Sequence, residues 1–294
     1  MNTIDQKPKI SILMPNYNYE KFLSTAIESV LFQTYTNFEL IISDNASTDN
    51  SINEIKKYND KRIILLKSTE NIPLYQNIER AKENATGKII TILHSDDFYE
   101  ADFLQEIVKA YNQYPSKKVF ISGVNNYHEA ENVKLKHFPF NSEGLKKKEQ
   151  VFGNLCINNN IGNGVNSAFS SDLFKNSTIF DSKYKYSADY DLFFRLSGKH
   201  DFVYINKILA NYRIHSNNLS HLVNKNLDMF KEGLEICNTH LDYSQKFNCF
   251  LKFLDSSSCI NAIFYMGFKY KSGELTREML TCLSTYRGNI KLNK

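Results

Sequence analysis

Lys88-Ile89-Ile90-Thr91-Ile92-Leu93-His94-Ser95-Asp96-Asp97 is the stretch on which the fold turns. Its first six residues are mostly apolar or β-branched and read as a buried strand, opened by Gly87. A buried strand that ends in two adjacent carboxylates is costly, because the charges repel unless a cation or hydrogen-bond donors neutralise them. A hard divalent ion meets that need, and Mg²⁺ commonly takes one or two protein carboxylates together with substrate phosphates. The competing reading is that Asp96 or Asp97 caps a helix beginning near Glu100. Capping accounts for one acid and leaves the other unexplained.

Working outward, strands alternate with helices through the first 115 residues. Residues 9–17 form a short apolar strand stopped by Pro15, and residues 20–33 carry Phe22, Leu23, Ala26, Ile27, Val30 and Leu31 at helical spacing. A second strand, residues 38–43, again ends in an acid, Asp44, and a helix follows over residues 49–58. Residues 63–66 make a third strand and residues 75–85 a helix, with Gly87 as its stop. The His94 strand is the fourth, followed by an amphipathic helix over residues 101–114. This alternation predicts βαβ units and a mostly parallel sheet, in which ligands bind beyond the carboxyl ends of the strands. Pro15 to Asn18, Asp44, and Asp96 with Asp97 all fall at those ends. Neither GxGxxG nor a Walker A loop is present, which argues against a dehydrogenase or a P-loop enzyme.

The second half is more polar. Residues 119–127 read as a fifth strand, and residues 129–150 as a polar connection containing Lys146-Lys147-Lys148, a solvated loop or a lid over the site. Residues 157–166 have no periodicity and two glycines, so they read as an irregular turn at the site or a surface loop. Ala188-Asp189-Tyr190-Asp191 opens a helix, where acids favour the helix dipole or lodge a general base. A last strand spans residues 203–213, and the run Tyr212-Arg213-Ile214-His215 reaches two residues past it. From about residue 223 the pattern is helical, with segments near 224–240, 245–268 and 274–287. The phenylalanines there read as core packing or as a surface for a membrane or partner. From Ser244 onward eight Lys/Arg face three Asp/Glu, a local +5 within a chain of net +4, which keeps the membrane reading open.

Composition sets the outer bounds. The 294 residues suit one large domain or a domain with an appendage, and 42% hydrophobic with 23% charged residues is ordinary for a globular chain. A net charge of +4 is too small to argue for nucleic acid. With no apolar run of roughly 18 residues and a polar amino terminus, neither an anchor nor a signal peptide is expected. Cys156, Cys237, Cys249, Cys259 and Cys282 are odd in number and lack CxxC spacing, so a reduced, cytoplasmic protein without a zinc site is the expectation.

These pieces together resemble the inverting glycosyltransferases of family 2. The matching segments are residues 12–18 (Ile-Leu-Met-Pro-Asn-Tyr-Asn), residues 38–49, Asn71 with Asn77, residues 85–88, His94 to Asp97, Ala188 to Asp191, and Tyr212 to His215. The resemblance covers residues 9 to about 222. It implies the GT-A fold, a Rossmann-like, mostly parallel α/β sheet flanked by helices, as a nucleotide-sugar-binding catalytic domain over residues 1–222. Residues 223–294 would then be an all-helical C-terminal extension. By the same resemblance, Pro15, Tyr17, Asn18 and Asp44 hold the base of the donor, with Asp44 accepting the imide N–H of uracil or thymine. Asn71 sits near the nucleotide and Asp96 by the ribose. Asp97 binds the divalent metal (Mn²⁺ or Mg²⁺) that bridges the diphosphate, His215 contacts the metal or diphosphate, and Asp189 is the general base.

The implied activity is metal-dependent, inverting transfer of a sugar from a UDP- or dTDP-linked donor to a hydroxyl of a glycan or lipid-linked acceptor, in cell-surface polysaccharide or lipopolysaccharide synthesis. A cytoplasmic location with peripheral contact at the inner membrane face through the C-terminal helices goes with it, and the oligomeric state, a dimer included, is left open. Three positions depart from the family pattern. His94 stands where an acid often precedes the Asp pair, Ala188 where Glu often precedes the base, and Pro73 where Gly is usual. If Asp189 points into the cleft, Asp191, two residues on, faces solvent or caps the helix. The alternatives are a catalytically weak nucleotide-sugar binder, prompted by His94 and Ala188, and a sugar-nucleotide pyrophosphorylase. The latter wants a Gly-rich basic loop where Pro15 to Asn18 stand.

Overall fold

A computed structural model of the chain describes residues 7–155, 159–162, 164–216, 218 and 228–240. The expected helices at 245–268 and 274–287, their phenylalanines and the basic tail lie outside these residues. The strands are β1 (Ile10–Asn16), β2 (Phe38–Asp44), β3 (Ile63–Lys67), β4 (Ile89–Ile92), β5 (Phe98–Tyr99), β6 (Val119–His128), β7 (Val133–His137), β8 (Gly144–Lys146), β9 (Ser167–Ser170) and β10 (Phe202–Ile214). They form one sheet ordered β3-β2-β1-β4-β9-β6-β10-β5, with β7 on β6 and β8 on β10. The β3-β2-β1-β4 half is parallel, while β9 runs antiparallel to both β4 and β6. Because β9 runs against β4, with Thr91 opposite Ala168, the chain entering β9 lies at the end of the sheet where β4 delivers Asp96 and Asp97. Beyond β9, β6 and β10 are parallel again, pairing as far as Ile214 with His128.

Helices cover both faces because the strands are apolar on both. On one side α1 (Glu20–Leu31) and α4 (Phe103–Gln113) bury Leu23, Ala26, Ile27, Val30, Phe103 and Ile107 against Ile10, Ile12 and Met14. On the other α3 (Leu74–Glu83), α5 (Lys148–Leu155), α6 (Ala188–Ser197) and α7 (Asp228–His240) meet Leu13, Ile41 and Phe202 through Ile78, Leu155, Phe193 and Ile236. Full burial of such a side chain stabilises by roughly 1.5–3 kcal/mol. The short α2 (Ser51–Lys56) adds Ile55 to the α1 side.

Three sequence expectations need correction. Gly87 does more than stop α3: a Cβ there would stand 2.6 Å from both the Ser11 backbone N and Oγ. Ser11 Oγ accepts the Gly87 N–H at 2.8 Å and donates to Glu39 Oε1 at 2.6 Å. Residues 129–150 are not one polar loop, since they hold β7, β8 and the start of α5. Lys146 is buried, donates to Ser142 Oγ at 2.8 Å and runs beside the Phe140 and Tyr204 rings, an amphipathic side chain lying along apolar surface. Residues 144–146 stand where β10 begins, opposite the end that carries the acids, whereas β7 of the same connection pairs with the carboxyl end of β6 on the acid side.

Candidate functional site

The ends of β1 and β2 are built as a unit. Asn16 and Asp44 are register partners, and Asn16 Nδ2 donates to Asp44 Oδ1 at 2.8 Å. Ser47 closes the loop by giving its N–H to Asp44 Oδ2 (3.1 Å) and its hydroxyl to Oδ1 (2.6 Å), while Ala46 takes a left-handed φ of 60°. Asp44 is thus buried with its charge met by neutral donors. Asn16 Oδ1 is buried beside it with no hydrogen-bond partner among the described residues. Pro15 extends β1 one residue beyond the expected stop, pairing with Ser43, because β4 pairing ends at Leu13 and demands no N–H there. Asn18, at φ 57°, spends its Oδ1 on the N–H groups of Thr48 (2.8 Å) and Asp49 (3.3 Å), clipping the two loops together. Tyr17 is exposed on the same turn. Asn71 is exposed and accepts from Asn45 Nδ2 at 2.9 Å, and Asn45 also holds Ile72 through both its backbone groups. Arg80 of α3 reaches the Asp44 carbonyl at 2.7 Å.

The acid turn follows β4. Its closing bond runs from Asp97 N–H to the His94 carbonyl at 3.0 Å, and Ser95 Oγ donates to the Pro15 carbonyl at 2.9 Å. Helix α4 begins only at Phe103, after Asp102, so neither Asp96 nor Asp97 caps it. Both carboxylates are instead buried. Asp97 Oδ1 accepts the Arg213 N–H at 2.9 Å, while Arg213 Nε donates to the Asp96 carbonyl at 2.8 Å. The guanidinium sits among Phe22, Phe98 and Tyr127, about 5 Å from each ring centre, and 3.4 Å from Glu129. Asp96 Oδ2 lies 3.1 Å from His215 Nε2 and 3.4 Å from Asn218 Nδ2. His215 in turn packs on Phe22 at 4.5 Å, and Tyr19 also bonds to Asp96.

Burial, then the charge on Asp96, pushes the Asp97 carboxyl well above its ordinary range, against the opposing pull of Arg213. Burial pushes the His94 imidazole down, so it is neutral near pH 7. Two adjacent buried carboxylates, with an imidazole on one of them, are oxygen and nitrogen donors of the kind that suit a divalent cation whose remaining ligands come from substrate phosphates. The structure brings Asp96, Asp97 and His215 together, with His215 on Asp96. Among the described residues no three His, Cys, Asp or Glu side chains gather closely enough to hold a metal ion by themselves.

The third part is α6. Ala188 is fully buried in the core, where a charged side chain would be unpaired. Asp189 is partly buried. Its Oδ1 accepts the Tyr190 N–H at 2.8 Å, and its Oδ2 stands 3.4 Å from Asn159 Nδ2 in the aperiodic loop that enters β9. Burial pushes its carboxyl up to about 6, with the Glu232 charge adding to the rise and the hydrogen bonds opposing it. Tyr75 of α3 feels the Asp189 charge as well. Asp191 neither faces solvent nor caps the helix, contrary to expectation. It is 2% exposed and bonded to Arg195 Nε at 2.7 Å and His240 Nε2 at 2.8 Å. Burial alone would raise Asp191, but those two bonds outweigh it and hold the carboxyl below its ordinary value.

Sequence reading assigned no role to Tyr19, Asn45, Arg80, Asn159, Asn218, Glu232 and His240. Tyr19 and Asn159 lie inside or next to stretches singled out for their irregularity, which is a usable signal. Glu232 and His240 carry none, because their partners are 45 to 49 residues away.

The sequence model of Glycosyl transferase family 2 matches residues 11–177, ending before Asp189 and His215. Glycosyltransferase GlyA of Streptococcus pneumoniae serotype 4 is 28% identical over 155 residues, 52% of this chain and 21% of that protein. The UDP-Glc:alpha-D-GlcNAc-diphosphoundecaprenol beta-1,3-glucosyltransferase WfgD of Escherichia coli is 38% identical over 96 residues, 33% of this chain and 38% of that protein. Both matches therefore span well under two thirds of the relative. Among solved structures, S. aureus TarS 1-349 in complex with UDP superposes with a TM-score of 0.68 at 16% identity, covering 95% of this chain and 80% of that one, a likeness of fold. With more than half of its residues matched by the family model on a GT-A-type sheet, the chain belongs to glycosyl transferase family 2.

Proposed function

We propose that the chain is a metal-dependent, inverting glycosyltransferase that moves a sugar from a UDP- or dTDP-linked donor to a hydroxyl of a glycan or lipid-linked acceptor in cell-surface polysaccharide synthesis. The observation that carries this is the buried Asp96–Asp97 turn at the end of β4, with Asp44 at the end of β2 and a carboxyl pushed up to about 6 at Asp189. Asp44, with Tyr17 and the Pro15–Asn18 turn beside it, would receive the base, its carboxylate accepting an imide N–H. Asn71 would close over the nucleotide and Asp96 would take the ribose. Asp97 and His215 are the residues that would hold a divalent cation, whose charge offsets the negative charge growing on the departing diphosphate.

In the transfer step the acceptor oxygen forms its bond to the anomeric carbon as the bond to the diphosphate oxygen breaks, and the electron pair leaves with the nucleoside diphosphate. Asp189 takes the hydroxyl proton as that bond forms. Attack from the face opposite the leaving group inverts the anomeric configuration. A carboxyl with a pKa near 6 is ionised at pH 7 yet more basic than an ordinary aspartate, which suits this task.

The pyrimidine preference rests on Asp44, and the TarS complex with UDP and the UDP-Glc donor in the name of WfgD are consistent with it. The lipid-diphosphate acceptor in that same name supports the acceptor class. Residues 1–222 are taken as the catalytic unit and residues 223–294 as its helical extension. The basic run after Ser244 is read as a peripheral contact with anionic membrane, to be tested by flotation with neutral and anionic liposomes. No helix among the described residues is long and apolar enough to cross a membrane. The deciding experiment is turnover of a panel of nucleotide sugars by purified protein, with and without Mn²⁺. Nucleotide release that needs the metal and favours UDP- or dTDP-sugars is expected. Binding without turnover, or activity undiminished by exhaustive chelation, would remove this reading.

A further inference from the structure

We propose that Glu232 of α7 is a positioning residue for the transfer reaction: its carboxylate fixes the entry to α6 and thereby sets where the Asp189 carboxyl stands. The inference rests on the reading of Asp189 as the base. Residues 181–187 are irregular, and Ser187 at the helix N-cap makes no side-chain cap bond. The amides there are met from another helix. Glu232 Oε1 accepts the Lys185 N–H at 2.9 Å, and Oε2 accepts those of Tyr186 (2.9 Å) and Ser187 (2.8 Å). Three successive N–H groups gathered on one carboxylate form an anion-binding concavity whose ligand is a side chain of the same molecule. Ser187 Oγ adds a bond to the Met229 carbonyl at 3.4 Å, and Lys183 pairs with Glu235 at 2.6 Å.

Loss of the Glu232 carboxylate would leave the three amides unmet and free the backbone two residues before Asp189. A displacement of about 1 Å at a reacting group can cost about 10²-fold in rate. The groups facing Asp189 are Asn159 from the loop before β9, Tyr75 of α3 and Glu232 of α7, with Asp191, Arg195 and His240 packed nearby. The negative charge of Glu232 helps hold the Asp189 proton.

The test uses the full chain with Glu232→Ala and Glu232→Gln, following kcat and KM for the most active UDP-sugar across pH, UDP affinity by calorimetry with Mn²⁺, and Tm. Glu232→Ala is expected to lose about 10²-fold in kcat with KM and UDP affinity near wild type. Glu232→Gln should recover part of it, because its amide oxygen still accepts N–H, and should move the acid limb of the kcat profile to lower pH. A Gln variant with wild-type kcat and an unmoved limb overturns the proposal, as does a loss that only tracks the melted fraction. If Glu232→Ala does not fold, the Gln variant decides alone. Asp189→Asn keeps the two readings apart. An active Asp189→Asn enzyme removes the base assignment, whereas an inactive one beside an unaltered Glu232→Gln removes only this inference.

Discussion

His240 Nε2 stands 2.8 Å from Asp191 Oδ1, joining α7 to the helix that carries both candidate bases. Its ring also stacks on Phe194 at 5.6 Å, and Arg195 Nε occupies the second Asp191 oxygen. With both oxygens committed and the side chain buried, Asp191 serves the packing of α6. Asp189, two residues earlier, is the less buried residue of the two and has a raised pKa.

The two acids should therefore respond oppositely to amide substitution. Asp189→Asn should lose about 10²–10⁴-fold in kcat with near-normal UDP binding. Asp191→Asn should keep most of kcat per folded molecule but lose roughly 1.5–3 kcal/mol of stability through its charged hydrogen bonds. Steady-state kinetics beside thermal melts would check both, and the reverse pattern would make Asp191 the base.

The Asp189 shift also fixes a sign for pH. Its folded pKa, about 6, lies above the ordinary aspartate value of about 3.9. The folded state thus binds this proton more tightly than the unfolded chain. That contribution to stability is fully present below about pH 4 and lost as pH rises through 6. Asp189→Asn should accordingly melt at or above wild type at pH 7, with the advantage vanishing near pH 4. Wild-type kcat should fall below about pH 6 as the base becomes protonated.

Asp97→Asn removes one of two adjacent buried charges. Without ligand, the variant should melt no lower than wild type, because the repulsion from Asp96 is relieved. Mn²⁺ with UDP should raise the wild-type Tm and leave that of the variant nearly unmoved. A variant still stabilised by Mn²⁺ with UDP would place the cation elsewhere.

Asp44 should make base preference measurable. Calorimetry with UDP, dTDP, GDP and CMP is expected to rank the first two tightest, and Asp44→Ala should erase the ranking while freeing the Ser47 loop. Tighter GDP than UDP binding by wild type would contradict the role assigned to Asp44.

Gly87→Ala probes the fold rather than the chemistry. The added methyl would meet the Ser11 backbone N and Oγ at 2.6 Å and the Lys9 carbonyl at 2.8 Å, and backbone atoms cannot swing aside. A loss of about 1–3 kcal/mol is expected from such overpacking, read as a lower midpoint in urea with an unchanged slope.

By itself, the sequence determines β1 to β4 with α1 to α4, and the strand ends that carry Asp44, Asp96 and Asp97. Those elements are held by local periodicity, and an acid after a buried strand contradicts that strand's own pattern, so both are written in adjacent residues. β6, α6 and β10 are legible as well, but tertiary structure alone places β5, β7, β8 and β9. β7 alternates as Val-Lys-Leu-Lys-His but is exposed along nearly all its length, so its alternation marks no buried face, and β8, at three residues, is too short to show a pattern. The capping and site readings of Asp96 and Asp97 separate only because Arg213 and His215, more than 110 residues on, fold back onto them. Asp189 and Asp191 look equivalent in one helical turn, and it is α7 that separates them, bringing His240 to one and Glu232 to the approach of the other. Proton affinity depends on burial and on charges brought close in space, and the order of residues along the chain does not specify which distant side chains those will be.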